Sequence, residues 1–457
     1  MTWPSVGAYW DRSSLVWGEP SGSGEIAQNV SPFDVELQSI RLLSENEIQN
    51  VFADFAPKAA LSPLDDLSRL IRVHRSELIR EIRLSMAFNL ADCEEIIDGC
   101  LSFLDRFEPT HIFDSAEYNQ GGRRIGLRRV PWGTIAAILP QNASFYMGLI
   151  VLVNGLSTGN RVILRAPSGS YRLMAILGEL LLEAGFDASS YSVVACDAGA
   201  FMEAWKNASH PILMHFMGSS QRASSLLSQS FEARKPCLID GEGNGWIYVD
   251  KDQEPVEAAK LVWHGAIRYN GQTCTSINGV VVHPAIDSDF RQSIRELVAR
   301  TTFGTADSDQ VGPLFSTAQV EAIEKGASES GGRIGKAGQS SGKVFSPMLI
   351  EDPNTESDLV GMGFFGPALW VKTGTWGEFQ EAWKLNRYPL SAAILTFDES
   401  VREQALNLSG ASRIVLNGDP SLEDPLEPWG AYPSCGSNPV SSWIDKYYRV
   451  VQLDWAE

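Results

Sequence analysis

The sequence predicts an α/β protein whose strands form parallel sheets covered by helices on both faces. Three observations predict it. Short β-rich runs alternate with helical stretches between Thr134 and Val249, at the spacing of strand–helix–strand units. The alternation starts again at Glu257 and continues to Asn417. The chain has 457 residues, 44% hydrophobic and 20% charged, an ordinary globular composition with length for about three domains.

Residues 1 to about 35, rich in Gly, Ser, Pro and Trp, show no period and read as an irregular arm. From Leu64 to Leu84, apolar residues at 64, 67, 70, 71, 78, 79 and 82 recur at helical spacing, and a second amphipathic helix fits Asp92 to Phe107. Gly121-Gly122 between extended segments reads as a hairpin. It carries the densest basic cluster, Arg123, Arg124, Arg128 and Arg129, taken as a solvated or subunit-facing face rather than an anion site. Strands follow at Thr134–Leu139, Arg161–Arg165, Ser192–Ala195, Ile212–Phe216 and Trp246–Val249. Helices lie near Phe145–Leu156, Tyr171–Ala184 and Arg222–Ser230. The second half repeats the pattern: helix Glu257–Arg268, strand Gly279–His283, helix Asp287–Ala299, then strands Ala368–Lys372, Ala392–Phe397 and Arg413–Asn417. Residues 328–343 read as an exposed loop. The tail from Asp445 alternates like a strand and needs a partner, which another subunit could supply.

The 37 Lys+Arg against 56 Asp+Glu leave a net charge of −19, which argues against a nucleic-acid partner. Six cysteines without CxxC spacing suit neither a disulfide framework nor a metal site, so a reducing, cytoplasmic setting is expected. The N-terminus shows no secretory leader, and no apolar run approaches membrane-spanning length.

Among the cysteines, Cys274 stands out. It follows a predicted helix within Tyr269-Asn-Gly-Gln-Thr-Cys274, a polar turn that presents a side chain at a surface or cleft. This segment resembles the nucleophile motif of the aldehyde dehydrogenase superfamily. Further stretches resemble that family in the same order: Val130-Pro-Trp-Gly133 with Ile138-Leu-Pro-Gln-Asn142, Arg161 to Ser168, Phe216-Met-Gly-Ser219, Phe364-Phe-Gly-Pro367, Asn386 to Ala393, and Asn417 with Pro428-Trp-Gly430. Together they span about residues 60 to 450; the first 35 residues match nothing in the pattern. The resemblance implies a Rossmann-like cofactor domain (1–112 and 130–240), an α/β catalytic domain (241–430) and a small β bridging arm (113–129 and 431–457) that builds a homodimer or homotetramer.

The resemblance also implies roles. Cys274 would attack the carbonyl of a small-molecule aldehyde and form a thiohemiacetal. Asn142 and the Cys274 N–H would donate to the oxyanion, where one lost donor costs on the order of 10²–10³ in rate. NAD or NADP would take the hydride, held by Leu139, Pro140, Arg165, Ser168, Gly218, Ser219 and Phe365. Tyr146, Arg268, Thr273, Thr275 and Trp429 would line the substrate passage. Three departures stand out. The family's hydrolytic glutamate falls on Asp240, with Glu242 two residues on, and the spacing does not choose between them as base. Arg165 and Ser168 replace a lysine and a glutamate, which leans toward NADP because arginine grips phosphate and serine removes a repulsion. Gly363 replaces a glutamate at the nicotinamide ribose. Arg268, where relatives carry an aromatic, is either a partner for a substrate anion or a helix C-terminal cation. The first reading is thus NAD(P)-dependent aldehyde oxidation. The alternatives are an acylating, coenzyme-A-dependent reductase and a catalytically impaired binding subunit.

Overall fold

The computed structural model describes residues 14–53, 63–108 and 116–456. Residues 1–13 and the 112/113 boundary expected above lie outside that set. One seven-stranded sheet has the order Cys237–Asp240, Ile212–Met217, Thr134–Ile138, Arg161–Arg165, Tyr191–Val194, Ser14–Val16, Glu19–Ser21. Its first five strands are parallel. Such strands are buried on both faces and therefore read as continuous apolar runs. Alternate residues of Thr134–Ile138 feed two cores. Ile135 and Ala137 pack on helices Ser144–Ser157, Tyr171–Ala184 and Leu90–Arg106, while Ala136 and Ile138 pack on Glu45–Ala53, Ala198–Asn207 and Ser220–Ala233.

The second sheet has the order Arg333–Lys336, Met348–Glu351, Ala368–Thr373, Ile277–Val282, Gly245–Val249, Ser391–Leu395, Arg413–Leu416. It is parallel except at Arg333–Lys336. Trp246, Trp370 and Trp383 meet edge-on in one of its two cores. No helix among the described residues is long and apolar enough to cross a membrane.

Four expectations change. The stretch from Leu64 is two helices, Leu64–Val73 and Arg75–Met86, divided at His74. The arm read as irregular holds short strands at Ser14–Val16, Glu19–Ser21 and Ile26–Val30. Three to five residues are too few to show a period, and the first two extend the sheet by antiparallel pairing. The stretch read as a loop contains the exposed edge strand Arg333–Lys336. The tail strand Tyr448–Ala456 finds its partner within the chain, running antiparallel to Arg123–Pro131, which also pairs with Ala116–Gln120. The basic cluster on that arm is neutralised locally. Arg124 and Arg128 pair with Glu117, Arg123 with Asp454, and Arg129 lies over the Tyr448 ring.

Candidate active site

In the first sheet the chain leaves Thr134–Ile138 for Arg161–Arg165 on one side and later sets Ile212–Met217 on the other. The carboxyl ends of these strands flank a switch point, where open α/β sheets hold ligands. Leu139, Pro140 and Asn142 emerge from one end, Gly218 and Ser219 from the other. Arg165, one strand over, gives its Nε and Nη2 to the Cys196 carbonyl at 3.3 and 3.0 Å, two of five donors. Ser168 is exposed at the start of a 3₁₀ turn, its carbonyl accepting from Asn29. Ser219 precedes helix Ser220–Ala233, and the Ser220 N–H donates to Glu242 Oε2 at 2.5 Å. An anionic oxygen thus already occupies that helix N-terminus, a position suited to pyrophosphate.

These groups fit the adenosine and pyrophosphate of a dinucleotide. At the other end Phe365 is 38% exposed. Gly363 has φ of +72°, and a Cβ there would lie 2.7 Å from Asn244 Oδ1, so no glutamate fits.

Cys274 lies at the amino end of strand Ile277–Val282. The backbone reaches it through Tyr269, Asn270 and Gly271, with φ of 52°, 56° and 62°. Two successive left-handed residues other than glycine, Tyr269 and Asn270, are costly. The cost is offset by the buried Asn270 amide, which donates to the Ala87 and Pro313 carbonyls and accepts from the Gly312 N–H. Gly271 is required, because a Cβ would lie 2.3 Å from the Gly366 carbonyl. Thr273 then closes the turn on Ser276.

The half-buried Cys274 packs on a small core cluster of Leu390, Ala431 and Cys435, against which Tyr388 and Trp429 also pack. Behind it runs Asp240-Gly-Glu-Gly243. A Cβ on Gly243 would meet the Cys274 carbonyl at 1.9 Å, and one on Gly241 would meet the Cys435 carbonyl at 2.3 Å. Burial pushes the Cys274 thiol well above its ordinary range, with the charges of Glu423 and Asp240 acting the same way.

Asp240 ends strand Cys237–Asp240. Its Oδ2 is 2.6 Å from Nε2 of His215, a buried histidine on the next strand, and His215 Nδ1 is 2.7 Å from the Tyr447 hydroxyl. Trp429 Nε1 and Asn438 Nδ2 donate to Oδ1 at 3.1 and 2.9 Å. Lys446 Nζ donates to Asn438 Oδ1 at 2.9 Å and to the Trp429 carbonyl at 2.7 Å; burial lowers this amine to about 8. Tyr447 is pushed upward by burial first and by Asp240 second.

Two carboxylates that the spacing left equivalent are therefore separated. Asp240 is anchored beside Cys274, and Glu242 caps a helix. Sequence reasoning passed over His215, Asn438, Lys446 and Tyr447. The one visible signal was a histidine inside the apolar run Ile212-Leu-Met-His-Phe-Met217.

The passage residues also resolve. Arg268 is buried, ion-paired with Glu95 and bonded to the Ser421 carbonyl at 2.5 Å. Its charge is spent on the protein, in place of the substrate anion considered above. Thr275 is buried and Tyr146 half-buried. Asn142 is half-buried just before helix Ser144–Ser157.

Comparison with known proteins agrees with this geometry. A model described as the aldehyde dehydrogenase family matches residues 44–450. The chain is 26% identical over 317 residues to a 3-sulfolactaldehyde dehydrogenase of Priestia aryabhattai, covering 68% of this chain and 66% of that protein. It is 26% identical over 313 residues to an NADP-dependent succinate-semialdehyde dehydrogenase of Escherichia coli, covering 65% and 64%. These matches thus span just under two thirds of those relatives' lengths. An NADP-dependent enzyme of E. coli superposes with a TM-score of 0.90 at 21% identity over 98% of both chains. An aldehyde dehydrogenase from Physcomitrella patens does so with 0.84 at 16% identity, over 96% of this chain and 97% of that one.

Proposed function

The chain belongs to the aldehyde dehydrogenase family, and from that premise we propose that it oxidises an aldehyde to a carboxylic acid through Cys274. The observation that carries the reading is the strained turn that holds Cys274 against Gly243, beside Asp240 and near the switch-point crevice. Cys274 gives up its thiol proton to water, its Sγ attacks the carbonyl carbon, and the oxyanion takes hydrogen bonds from the Asn142 amide and the Cys274 N–H. NAD(P), which Leu139, Pro140, Arg165, Ser168, Gly218, Ser219 and Phe365 would hold, would supply the hydride acceptor, and Cys274 then carries the acyl group as a thioester. Water then adds to the thioester carbon, its proton passes to Asp240, the C–S bond breaks, and the acid leaves with the thiol restored. His215, Trp429 and Asn438 hold Asp240 in place for that step. Glu242 keeps the helix N-terminus covered until phosphate oxygens take it.

Arg165 with free donors and an exposed Ser168 support NADP over NAD. A Ser168→Glu variant is expected to raise KM for NADP by about tenfold while sparing NAD, because a carboxylate repels the 2′-phosphate; steady-state titration with both cofactors checks it. The apolar residues Tyr118, Val450, Leu453 and Trp455, exposed on the three-stranded arm, support assembly into a homodimer or homotetramer. Six free cysteines support a cytoplasmic, reducing setting.

The test is an aldehyde panel with NAD and NADP, with and without coenzyme A, on the protein and on Asp240→Asn. Steady turnover without coenzyme A, reduced to a single burst by Asp240→Asn with later turnover slowed about 10²–10⁴-fold, supports hydrolysis. Turnover only with coenzyme A supports the acylating reading, which the full engagement of both Asp240 oxygens favours. Absence of cofactor reduction in every combination leaves the binding-subunit reading, which Gly363 favours.

A further inference from the structure

The three donors that hold Asp240 are set in turn by two adjacent residues. Trp429 Nε1 lies 3.1 Å from Oδ1 and His215 Nε2 lies 2.6 Å from Oδ2, while Asn438 Nδ2 straddles the carboxylate at 2.9 and 3.0 Å. Three donors on about four acceptor sites leave room for a proton from water. Behind these donors stand Lys446 and Tyr447, on the 3₁₀ turn Ile444–Tyr447.

Lys446 Nζ is buried among four oxygens: the Trp429 carbonyl at 2.7 Å, Asn438 Oδ1 at 2.9 Å, the Pro439 carbonyl at 2.9 Å and Ser441 Oγ at 3.1 Å. An ammonium group only donates. It therefore takes the oxygen of the Asn438 amide and leaves the Nδ2 end to face Asp240. Without the cation, the amide is free to turn its oxygen toward the carboxylate. The same ammonium, with Ser441, fixes the Trp429 backbone, and so the ring whose Nε1 donates to Oδ1. Tyr447 puts its hydroxyl 2.7 Å from His215 Nδ1, on the Oδ2 side.

Both residues are anchored to the first sheet. Trp132 Nε1 donates to the Lys446 carbonyl at 3.3 Å, and Asn160 Nδ2 donates to the Tyr447 carbonyl at 2.6 Å. The link to the nucleophile is equally short. Trp429 packs on the same Leu390, Ala431 and Cys435 cluster as Cys274, and the Gly241 N–H beside Asp240 donates to the Cys435 carbonyl at 2.8 Å.

We propose that Lys446 is the positioning residue of the hydrolytic step: its ammonium orients the Asn438 amide and the Trp429 indole, and through them holds the Asp240 carboxylate ready to take a proton from the water that attacks the thioester. This rests on the oxidation reading above, with Asp240 as its base, and adds the residue on which that base depends.

The test follows an acyl-enzyme and needs no cofactor. p-Nitrophenyl acetate acetylates Cys274 with release of nitrophenolate. Excess ester is removed, and loss of acetyl from the Cys274 peptide is followed by mass spectrometry at about pH 7, where the Lys446 amine, lowered to about 8 by burial, is still charged. Asp240→Asn should lengthen the acetyl lifetime about 10²–10⁴-fold. Lys446→Met, which keeps the length and removes the charge, should lengthen it on the order of 10²-fold and leave the nitrophenolate burst unchanged. Added to Asp240→Asn, it should lengthen the lifetime no further, because it acts through that carboxylate. Asn438→Ala should match Lys446→Met, and it carries the test if Lys446→Met does not fold.

A wild-type lifetime in either folded variant overturns the proposal and, with a long lifetime in Asp240→Asn, leaves the base in place. A lost burst in Lys446→Met, or a further loss on top of Asp240→Asn, overturns it in favour of a merely structural lysine. A wild-type lifetime in Asp240→Asn, or no acetylation of Cys274, overturns the proposal together with the base. The expected lifetimes without oxidation of any aldehyde would sink the oxidation reading and keep this one.

Discussion

Cys274→Ala is expected to abolish aldehyde-dependent cofactor reduction while leaving the melting temperature nearly unchanged. The covalent step has no substitute on this chain. The other cysteine in the same pocket, Cys435, is 1% exposed, and burial pushes its thiol up to about 12. The side chain removed is small and half-buried, so little packing is lost. A thermal melt beside the activity assay separates loss of chemistry from loss of fold.

The wild-type thiol carries a second expectation. With burial, Glu423 and Asp240 all raising it, the thiolate of the cofactor-free protein is scarce at neutral pH. Alkylation of Cys274 by iodoacetamide should therefore keep rising with pH beyond about 10, where an ordinary cysteine has levelled off. A plateau near neutral pH would show that the thiolate is stabilised in the resting site.

Gly243→Ala is expected to be nearly as damaging, through geometry alone. Its Cβ would sit 1.9 Å from the Cys274 carbonyl and 2.9 Å from a Leu390 methyl, and neither position has room to yield. The Cys274 carbonyl belongs to the segment held by the Tyr269–Gly271 turn, and Leu390 is fully buried. Overpacking of this kind costs about 1–3 kcal/mol of stability. A displacement of the nucleophile by about 1 Å costs on the order of 10²-fold in kcat/KM. Chemical denaturation with steady-state kinetics measures both. Wild-type kcat/KM would show that the carbonyl can move without carrying the thiol with it.

Much of the architecture was legible because burial leaves a local pattern. Strand Arg161–Arg165 and helix Tyr171–Ala184 were read with their observed ends, the first as an apolar run and the second as a helical stripe closed by Gly185. Helix Ala198–Asn207 went unread, since its apolar stripe is narrow, with Phe201, Ala204 and Trp205 as its buried residues. The break at His74 was also missed, because the apolar spacing runs on across it.

At the site, the Asn-Gly turn before Cys274 was visible, and its left-handed backbone explains why those residue types stand there. The partners of Asp240 were not visible. Asn438 lies 198 residues away, Trp429 lies 189, and the Tyr447 that touches His215 lies 232 residues from that histidine.

The sequence by itself determined the layered α/β architecture and the nucleophile turn, because hydrophobic period and left-handed residues are properties of neighbours along the chain. Only the tertiary structure decided which carboxylate stands by Cys274, that Arg268 is spent on Glu95, and that the tail strand pairs at home. Each of these is a hydrogen bond or charge contact between segments far apart in sequence, and such contacts exist only once the sheets have brought those segments together.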